Sequence, residues 1–216
     1  MNEPVELHHY AGADATVTWN ASRCIHAAEC VRRAPSAFDP SARPWIRPDA
    51  ATVDALAEAV DRCPSGALEL QDATGASMIA TPPANTGVVI ANGPIHLRGN
   101  MNLHLGRRVE QITRMALCRC GASQRKPFCD NSHNKIGFVD PGRARFDTRP
   151  TGDGNLTTPL DITLIYHGPA KCTGPLTLQA SDGGTMFSDP TFLCRCGGSR
   201  KKPYCDGTHT QNGFAG

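Results

Sequence analysis

The chain has 216 residues, of which 39% are hydrophobic and only 6% aromatic, with 21 glycines, 17 prolines and 10 cysteines. So few large apolar side chains exclude one large hydrophobic core and predict small modules that the cysteines brace. The formal net charge of +2 and the pI near 8.1 are too balanced to predict binding to nucleic acid or to an anionic membrane.

The cysteines are expected to stay reduced. No run of about 18 apolar residues predicts a transmembrane helix, and the N-terminal stretch MNEPVELHHY lacks the layout of a secretory signal. We therefore expect a soluble cytoplasmic protein, in which cysteines bind metals or do redox chemistry instead of forming disulfides.

The N-terminal third of the chain predicts a small α+β domain. The alternating stretch Ala15–Trp19 predicts a half-buried strand, and a short helix is expected around Ala27–Arg33. Apolar residues three and four positions apart predict an amphipathic helix over Thr52–Cys63, capped by Asp49 or Thr52. The sequence CPSGALEL then predicts a turn and a short strand.

Three cysteines of this segment are spaced like the ligands of a monocluster ferredoxin, which uses C-x2-C-x2-C and a distant C-P. On that frame Cys24 and Cys30 are the outer pair, Cys63 is the distant ligand, and Ala27 stands where the middle cysteine belongs. Three thiolates suit a 3Fe–4S cluster, or a 4Fe–4S cluster whose last iron takes another ligand. His26 is either that ligand or a solvated or structural histidine, and three merely buried thiols are the alternative to any cluster.

This segment resembles the divergent 4Fe–4S monocluster family. The resemblance rests on C-x-H-x3-C, on the stretches AFD and RPWI, and on CPSGAL, and it covers roughly residues 15–70. It implies that Cys24, Cys30 and Cys63 bind one 3Fe–4S or 4Fe–4S cluster.

The rest of the chain contains a repeat. After a linker-like stretch over about 72–86, the sequence GVVIANGPIHLRGNMNLHL predicts two or three short strands. Its segment NGPIHLRGNMNL aligns with the later segment HGPAKCTGPLTL. Residues 87–142 and 160–216 are therefore two copies of one β-rich module, joined by a loose stretch over about 142–159.

Each module contains the motif C-x-C-x8-C-x3-H. Three thiolates and one imidazole can hold either Zn²⁺ or a 2Fe–2S cluster. Zinc-binding cysteines are usually separated by two to four residues, whereas C-x-C can place two thiolates on one iron and leave the other two ligands for a second iron. The spacing therefore favours the cluster. The candidate ligands are Cys118, Cys120, Cys129 and His133 in the first module, and Cys194, Cys196, Cys205 and His209 in the second.

The neighbours of these ligands predict further contacts. Gly121 and Gly197 can present backbone amides to cluster sulfur, and Ser132 and Thr208 can offer hydroxyl groups that tune a reduction potential. The remaining cysteine, Cys172, aligns with a leucine of the first copy, which predicts a small core residue.

The sequences LCRCGASQRKPFCDNSH-NKIGF and LCRCGGSRKKPYCDGTH-TQNGF resemble the CDGSH iron–sulfur domains, the mitoNEET-type family. The resemblance covers about half of the chain and implies that each module binds one 2Fe–2S cluster through its three cysteines and its histidine. The first copy has Asn131 where the motif has glycine. Asparagine tolerates positive φ better than other non-glycine residues, so we expect the turn to survive.

The resemblance also implies an arrangement. CDGSH domains usually pair in a homodimer, so the two modules can form an intrachain pseudo-dimer within a monomer; two independent modules on a flexible linker are the alternative. The predicted fold class is α+β, with a small ferredoxin-like domain over residues 1–75 followed by the two CDGSH modules.

The histidine ligand predicts sensitivity to pH. A neutral imidazole in place of a thiolate removes a negative charge and makes reduction easier. A protonated imidazole cannot bind iron, so we expect His133 and His209 to make the clusters labile in mild acid.

These sites predict a soluble multi-cluster electron carrier whose partner is an unidentified redox protein. The alternative is cluster storage, transfer to an apo-acceptor protein, or redox and pH sensing; a zinc-stabilised interaction module is a third hypothesis. An enzyme is not expected, because no glycine-rich phosphate loop, nucleophile–base pair, or flavin or nicotinamide motif occurs in the sequence.

Overall fold

The computed structural model describes residues 6–143, 158–187 and 189–216. The chain divides into two compact units, Met1–Ala80 and Thr81–Gly216. The loose stretch predicted between the two repeats lies largely outside the described residues. No helix in the described part of the chain has the length and apolar character needed to cross a membrane.

The first unit contains a three-stranded antiparallel sheet with the order β1-β2-β3 and two helices. Since β3 returns to pair with β2, the sheet brackets the segment that carries the three N-terminal cysteines. The elements are β1 (Leu7–Ala11), β2 (Thr16–Asn20), α1 (Glu29–Arg33), α2 (Val53–Asp61) and β3 (Leu68–Gln71).

Helix α2 supplies one wall of this unit's core. Thr52 is its N-cap, and the Thr52 hydroxyl oxygen accepts a hydrogen bond from the Ala55 amide at 3.3 Å. The predicted apolar face is confirmed, because Leu56 and Val60 are fully buried in the same core as Val17 of β2. Burial of one such leucine contributes about 2 kcal/mol.

The second unit is built on an eight-stranded sheet with the order β10-β9-β4-β5-β7-β8-β11, in which β6 also pairs with β5. The predicted short strands of the first repeat prove unequal in length, because β5 runs for eleven residues. The elements are β4 (Thr86–Val89), β5 (Ile95–Leu105), β6 (Arg108–Leu117), α3 (Ser132–Lys135), β7 (Leu160–Leu164), β8 (Ala170–Thr173), β9 (Thr177–Gln179), β10 (Thr185–Phe187) and β11 (Thr191–Leu193).

Strands of the first repeat lie between strands of the second in this sheet. Strand β4 of the first repeat runs parallel to β9 of the second, with Thr86 beside Thr177. Reciprocally, β7 of the second repeat runs parallel to β5 of the first, with Asp161 beside Asn102. Both repeats therefore bury their apolar faces in one common core, in which Cys172 is fully buried as predicted.

Candidate metal centres

The motif of the first repeat lies in a loop that is held by hydrogen bonds between its own residues. The Ser123 hydroxyl donates to the Phe128 carbonyl at 2.6 Å, and the Cys118 amide donates to the Pro127 carbonyl at 2.9 Å. The Asp130 carboxylate accepts hydrogen bonds from the Gln124 amide at 2.9 Å and from the Ser132 amide at 3.0 Å. These bonds hold the loop closed and bring the end of β6 next to the third cysteine.

The second repeat uses the same bonds at equivalent residues. The Ser199 hydroxyl donates to the Tyr204 carbonyl at 2.6 Å, and the Cys194 amide donates to the Pro203 carbonyl at 2.8 Å. Asp206 accepts from the Arg200 amide at 2.8 Å. Two chain segments with this shared bonding pattern are expected to hold the same kind of metal group.

The ligand atoms lie at distances that fit tetrahedral metal coordination. The Sγ atoms of Cys118 and Cys120 are 3.7 Å apart, and the Cys129 Sγ is 3.5 Å from the His133 Nδ1. Metal bonds of about 2.3 Å to sulfur and 2.0 to 2.1 Å to nitrogen put two sulfurs on one metal about 3.8 Å apart, and a sulfur and a nitrogen about 3.6 Å apart. Each pair therefore suits one iron.

The second motif repeats this geometry. The Sγ atoms of Cys194 and Cys196 are also 3.7 Å apart. The Cys205 amide donates to the carbonyl of Phe192, the last but one residue of β11, at 2.8 Å. The Cys129 amide donates to the equivalent carbonyl of Ala116 in β6. His209 lies beside Gly168, and His133 shares a pocket with Gly93, the equivalent glycine.

The four ligands of the first motif line one pocket, together with Gly93, Pro94 and Arg119. Within residues 6–143, 158–187 and 189–216, no group of three or more histidine, cysteine, aspartate or glutamate side chains is arranged around a single metal ion. The cysteine pair and the cysteine–histidine pair are compatible with the two irons of the 2Fe–2S cluster that the sequence resemblance implies.

Backbone amides surround the sulfur atoms. The Asn131 amide donates to the Cys129 Sγ, the Gly207 amide to the Cys205 Sγ and the Gly198 amide to the Cys196 Sγ, each at 3.4 Å. Asn131 has φ of 66° and Gly207 has φ of 86°, so the asparagine adopts the left-handed turn that the motif requires. Amide bonds of this kind stabilise a thiolate.

The hydroxyl groups next to the histidines bond to aspartates of their own loops. The Thr208 hydroxyl donates to Asp206 at 2.7 Å, and Ser132 bonds to Asp130. Although burial opposes the shift, bonds from Ser132 and from the Gln124 amide lower the pKa of Asp130. The hydroxyls therefore fix the turn before each histidine, and their effect on a reduction potential stays a prediction.

Burial and thiol pairing oppose full ionisation of the cysteines. The hydrogen bond between the paired thiols lowers the pKa of Cys118 and raises that of Cys120, so this pair carries one negative charge far more readily than two. Burial raises the pKa of Cys129 and of Cys194 to about 11. A bound metal would supply the positive charge that lets all the thiols ionise.

Two buried arginines hold the cysteine loops in place, and the sequence reasoning missed them. Arg119 and Arg195 occupy the middle of each C-R-C, which is the signal that could have revealed them. Arg119 forms an ion pair with Asp140 and donates to the Gly93 carbonyl at 2.7 Å; Arg195 donates to the Gly168 carbonyl at 2.8 Å. Each arginine joins its cysteine pair to the loop before the second strand of its repeat.

The two cysteine loops meet at their glycines. A Cβ atom on Gly121 would lie 2.6 Å from the Cys196 carbonyl oxygen, and one on Gly197 would lie closer still to the Cys120 carbonyl oxygen. Both glycines have positive φ, of 82° and 75°. Glycine is therefore required twice at each position, for backbone conformation and for the close approach of the other loop.

The N-terminal cysteines pack against a single core. Cys63 belongs to the buried core of the first unit, and Cys24 and Cys30 are partly buried against it. Burial first, and then the neighbouring charges of Cys63 and Cys24, raise the pKa of Cys30 to about 11. The structure therefore brings the three thiols within electrostatic range of one another.

The loop between Cys24 and Cys30 has an unusual backbone. His26 and Ala28 both have positive φ, of 53° and 59°, and Ala28 is the N-cap of α1, which begins two residues later than predicted. Left-handed residues among right-handed ones turn successive amides toward one point, as in many Fe–S sites. His26 itself is exposed.

Comparison with known proteins agrees with this geometry. The family described as "Divergent 4Fe-4S mono-cluster" matches residues 10–73, and the family described as "Iron-binding zinc finger CDGSH type" matches residues 92–134 and 167–210. The chain is 38% identical over 60 residues to the uncharacterized protein YjdI of Escherichia coli, in strains K12 and O157:H7. The match covers 28% of this chain and 79% of YjdI.

The chain belongs to the divergent 4Fe-4S mono-cluster family. It is an iron–sulfur protein that joins one such domain to two CDGSH-type domains. Both resemblances inferred from the sequence are thereby confirmed. No solved structure matches the chain.

Proposed function

We propose that this iron–sulfur protein is a multi-cluster electron carrier, with a 2Fe–2S cluster in each CDGSH domain and a 3Fe–4S or 4Fe–4S cluster in the N-terminal domain. The observation that carries the proposal is the pairing of ligand atoms, with Cys118 and Cys120 at 3.7 Å and Cys129 and His133 at 3.5 Å. When bound, such clusters accept and release single electrons.

The residues of the chain perform three tasks in this function. The cysteine pairs hold negative charge beside backbone amides, which favours ionised sulfur. Arg195 donates to the carbonyls of Gly168 and Ile165, and its positive charge within the loop favours the more negative, reduced state of a bound cluster, whereas the charge of Arg119 is offset by Asp140. Burial lowers the pKa of His133, which keeps its imidazole in the neutral form that binds iron.

We further propose that the two CDGSH domains form an intrachain pseudo-dimer. The reciprocal strand pairs β4 with β9 and β5 with β7 support it, as does the reciprocal contact of Gly121 with Cys196 and of Gly197 with Cys120. In a two-fold association, a residue i of one copy contacts a residue j of the other, and residue j of the first copy contacts residue i of the second. The N-terminal domain would supply a third, chemically different redox centre.

The test is the iron, sulfide and zinc content of anaerobically purified protein, with absorption and EPR spectra of the same sample. Two 2Fe–2S clusters and one larger cluster predict about seven or eight irons per chain. An EPR signal in the oxidised state would assign a 3Fe–4S cluster, and its absence with eight irons a 4Fe–4S cluster. Colourless protein with bound zinc would refute the redox function.

Cluster transfer is a second candidate function, favoured by the partial exposure of His133 and His209. An exposed imidazole ligand is open to protons and to an incoming acceptor ligand. Incubation with an apo-ferredoxin separates the two functions. A carrier keeps its iron through repeated redox cycles, whereas a donor loses 2Fe–2S clusters to the acceptor at the same rate as its own visible absorbance falls.

A further inference from the structure

The small net charge of the chain is the sum of two larger, opposite charges, one on each compact unit. Residues 1–80 contain 6 lysines and arginines against 11 aspartates and glutamates, a net charge of −5. Residues 81–216 contain 16 against 9, a net charge of +7. The unit with the CDGSH domains is therefore a basic body, which the overall charge of +2 does not reveal.

Much of this positive charge lies on the two cysteine loops. The stretches RCGASQRKPFC and RCGGSRKKPYC contain seven arginines and lysines and no carboxylate. Two of the seven are the buried Arg119 and Arg195. The other five define what we call the basic cluster face: Arg125, Lys126, Arg200, Lys201 and Lys202.

The two loops that carry the basic cluster face interlock. The Lys126 Nζ lies 5.7 Å from the centre of the Phe214 ring of the second repeat, and the Lys202 Nζ lies 5.8 Å from the Phe138 ring of the first. The loops also touch at Gly121 and the carbonyl of the other loop. Their charges therefore act on one partner at once.

The outward part of this face is open to solvent. Arg125, Arg200 and Lys201 are exposed, whereas the two interlocking lysines also donate to loop carbonyls at 2.9 and 2.6 Å. The carboxylates that directly follow these stretches in the sequence, on Asp130 and Asp206, accept backbone amides of the same loops. Both carboxylates are therefore held within the turns.

We propose that the basic cluster face docks an acidic redox protein, a proposal that rests on the electron-carrier function. The partly exposed His133 and His209 follow these loops, so a protein bound here lies next to the metal-binding atoms. Complementary charge accelerates such encounters and fixes their orientation. One electron passes from the reduced partner to an oxidised cluster, with no bond made or broken.

A nucleic acid is the competing partner for a basic surface, and the loops do not favour it. Single-stranded nucleic acids are bound by exposed aromatic rings that stack on bases. The aromatic residues of these loops, Phe128 and Tyr204, pack against the common core instead. The Tyr204 hydroxyl is also bonded to Met186 at 3.2 Å.

The test measures electron transfer by stopped-flow, from a dithionite-reduced acidic plant-type ferredoxin to the full-length, cluster-loaded protein. The expected rate falls as ionic strength rises, because salt screens the attraction. Lys201→Glu should slow the reaction at low salt by about tenfold. The matched control is Arg107→Glu, an exposed residue at the far end of β6 from Cys118, which should change the rate by less than about twofold.

Several results overturn the docking proposal. A rate that is independent of salt, or an equal effect of Arg107→Glu and Lys201→Glu, would refute it. Salt-dependent binding of a single-stranded oligonucleotide that Lys201→Glu abolishes would replace the acidic protein with nucleic acid. Reduction by a small neutral mediator is measured in parallel: if it succeeds while docking fails, the carrier function survives, and if it also fails, both proposals fall.

Discussion

Replacement of Gly197 by alanine tests whether the two CDGSH loops really lie against each other. A Cβ atom at Gly197 would overlap the carbonyl oxygen of Cys120, which is backbone and cannot turn aside as a side chain would. The residue also has φ of 75°, a conformation that disfavours alanine. Gly183 provides the matched control, because it has φ of 85° but no atom within 4 Å of its Cβ position.

Gly183→Ala and Gly197→Ala both place alanine in a left-handed backbone conformation, and only Gly197→Ala also creates a steric overlap. A left-handed conformation costs a non-glycine residue about 1 to 2 kcal/mol, which is the whole effect expected for Gly183→Ala. Overpacking adds about 1 to 3 kcal/mol to Gly197→Ala. At roughly 4 °C per kcal/mol for a unit of this size, Tm should fall by about 4 to 8 °C for Gly183→Ala and by about 8 to 20 °C for Gly197→Ala.

The assay is thermal unfolding of cluster-loaded protein, followed by circular dichroism and by visible absorbance at one fixed scan rate. Separation of the cysteine loops should make absorbance disappear at a lower temperature in Gly197→Ala than in Gly183→Ala. Equal shifts in the two variants would refute the contact, since only the shared backbone term would then be acting. Gly207→Asn is a second control and should shift Tm little, because Asn131 occupies the equivalent position of the first repeat.

Further substitutions test single parts of the proposed sites. His209→Cys should slow the loss of visible absorbance at about pH 5, because a thiolate binds iron more strongly than an imidazole that is being protonated; unchanged acid lability would remove the histidine from that role. Cys63→Ser should lower the iron content by three or four atoms per chain and leave the 2Fe–2S signals intact, whereas loss of all iron would show that the sites are not independent. Arg119→Ala should destabilise the CDGSH unit by about 3 to 5 kcal/mol, because it removes the donor of the Gly93 carbonyl and the positive partner of the Asp140 carboxylate; a loss below about 1 kcal/mol in denaturant titration would contradict that assignment.

The two α-helices of the N-terminal unit followed from the sequence to within two residues. Helix α2 was predictable because its apolar spacing and its Thr52 cap act over one to three turns of chain. Helix α1 was predicted too long, since nothing in the sequence around Ala28 signals a left-handed backbone. The bonds from the Ser132 and Thr208 hydroxyls to Asp130 and Asp206 were not predicted, because the two aspartates were not recognised as acceptors.

The sequence by itself determined which atoms can bind metal. The C-x-C-x8-C-x3-H motif specifies the ligand types, and Cys172 was separated from the ligands by its alignment with a leucine. Such information is local, because the identity of a ligand and its spacing along a tight loop do not depend on contacts with distant parts of the chain. The tertiary structure alone decided that β4 pairs with β9 and β5 with β7. Those pairings join residues far apart in the chain, whose contact depends on burying two apolar faces in one core, and no short pattern records that.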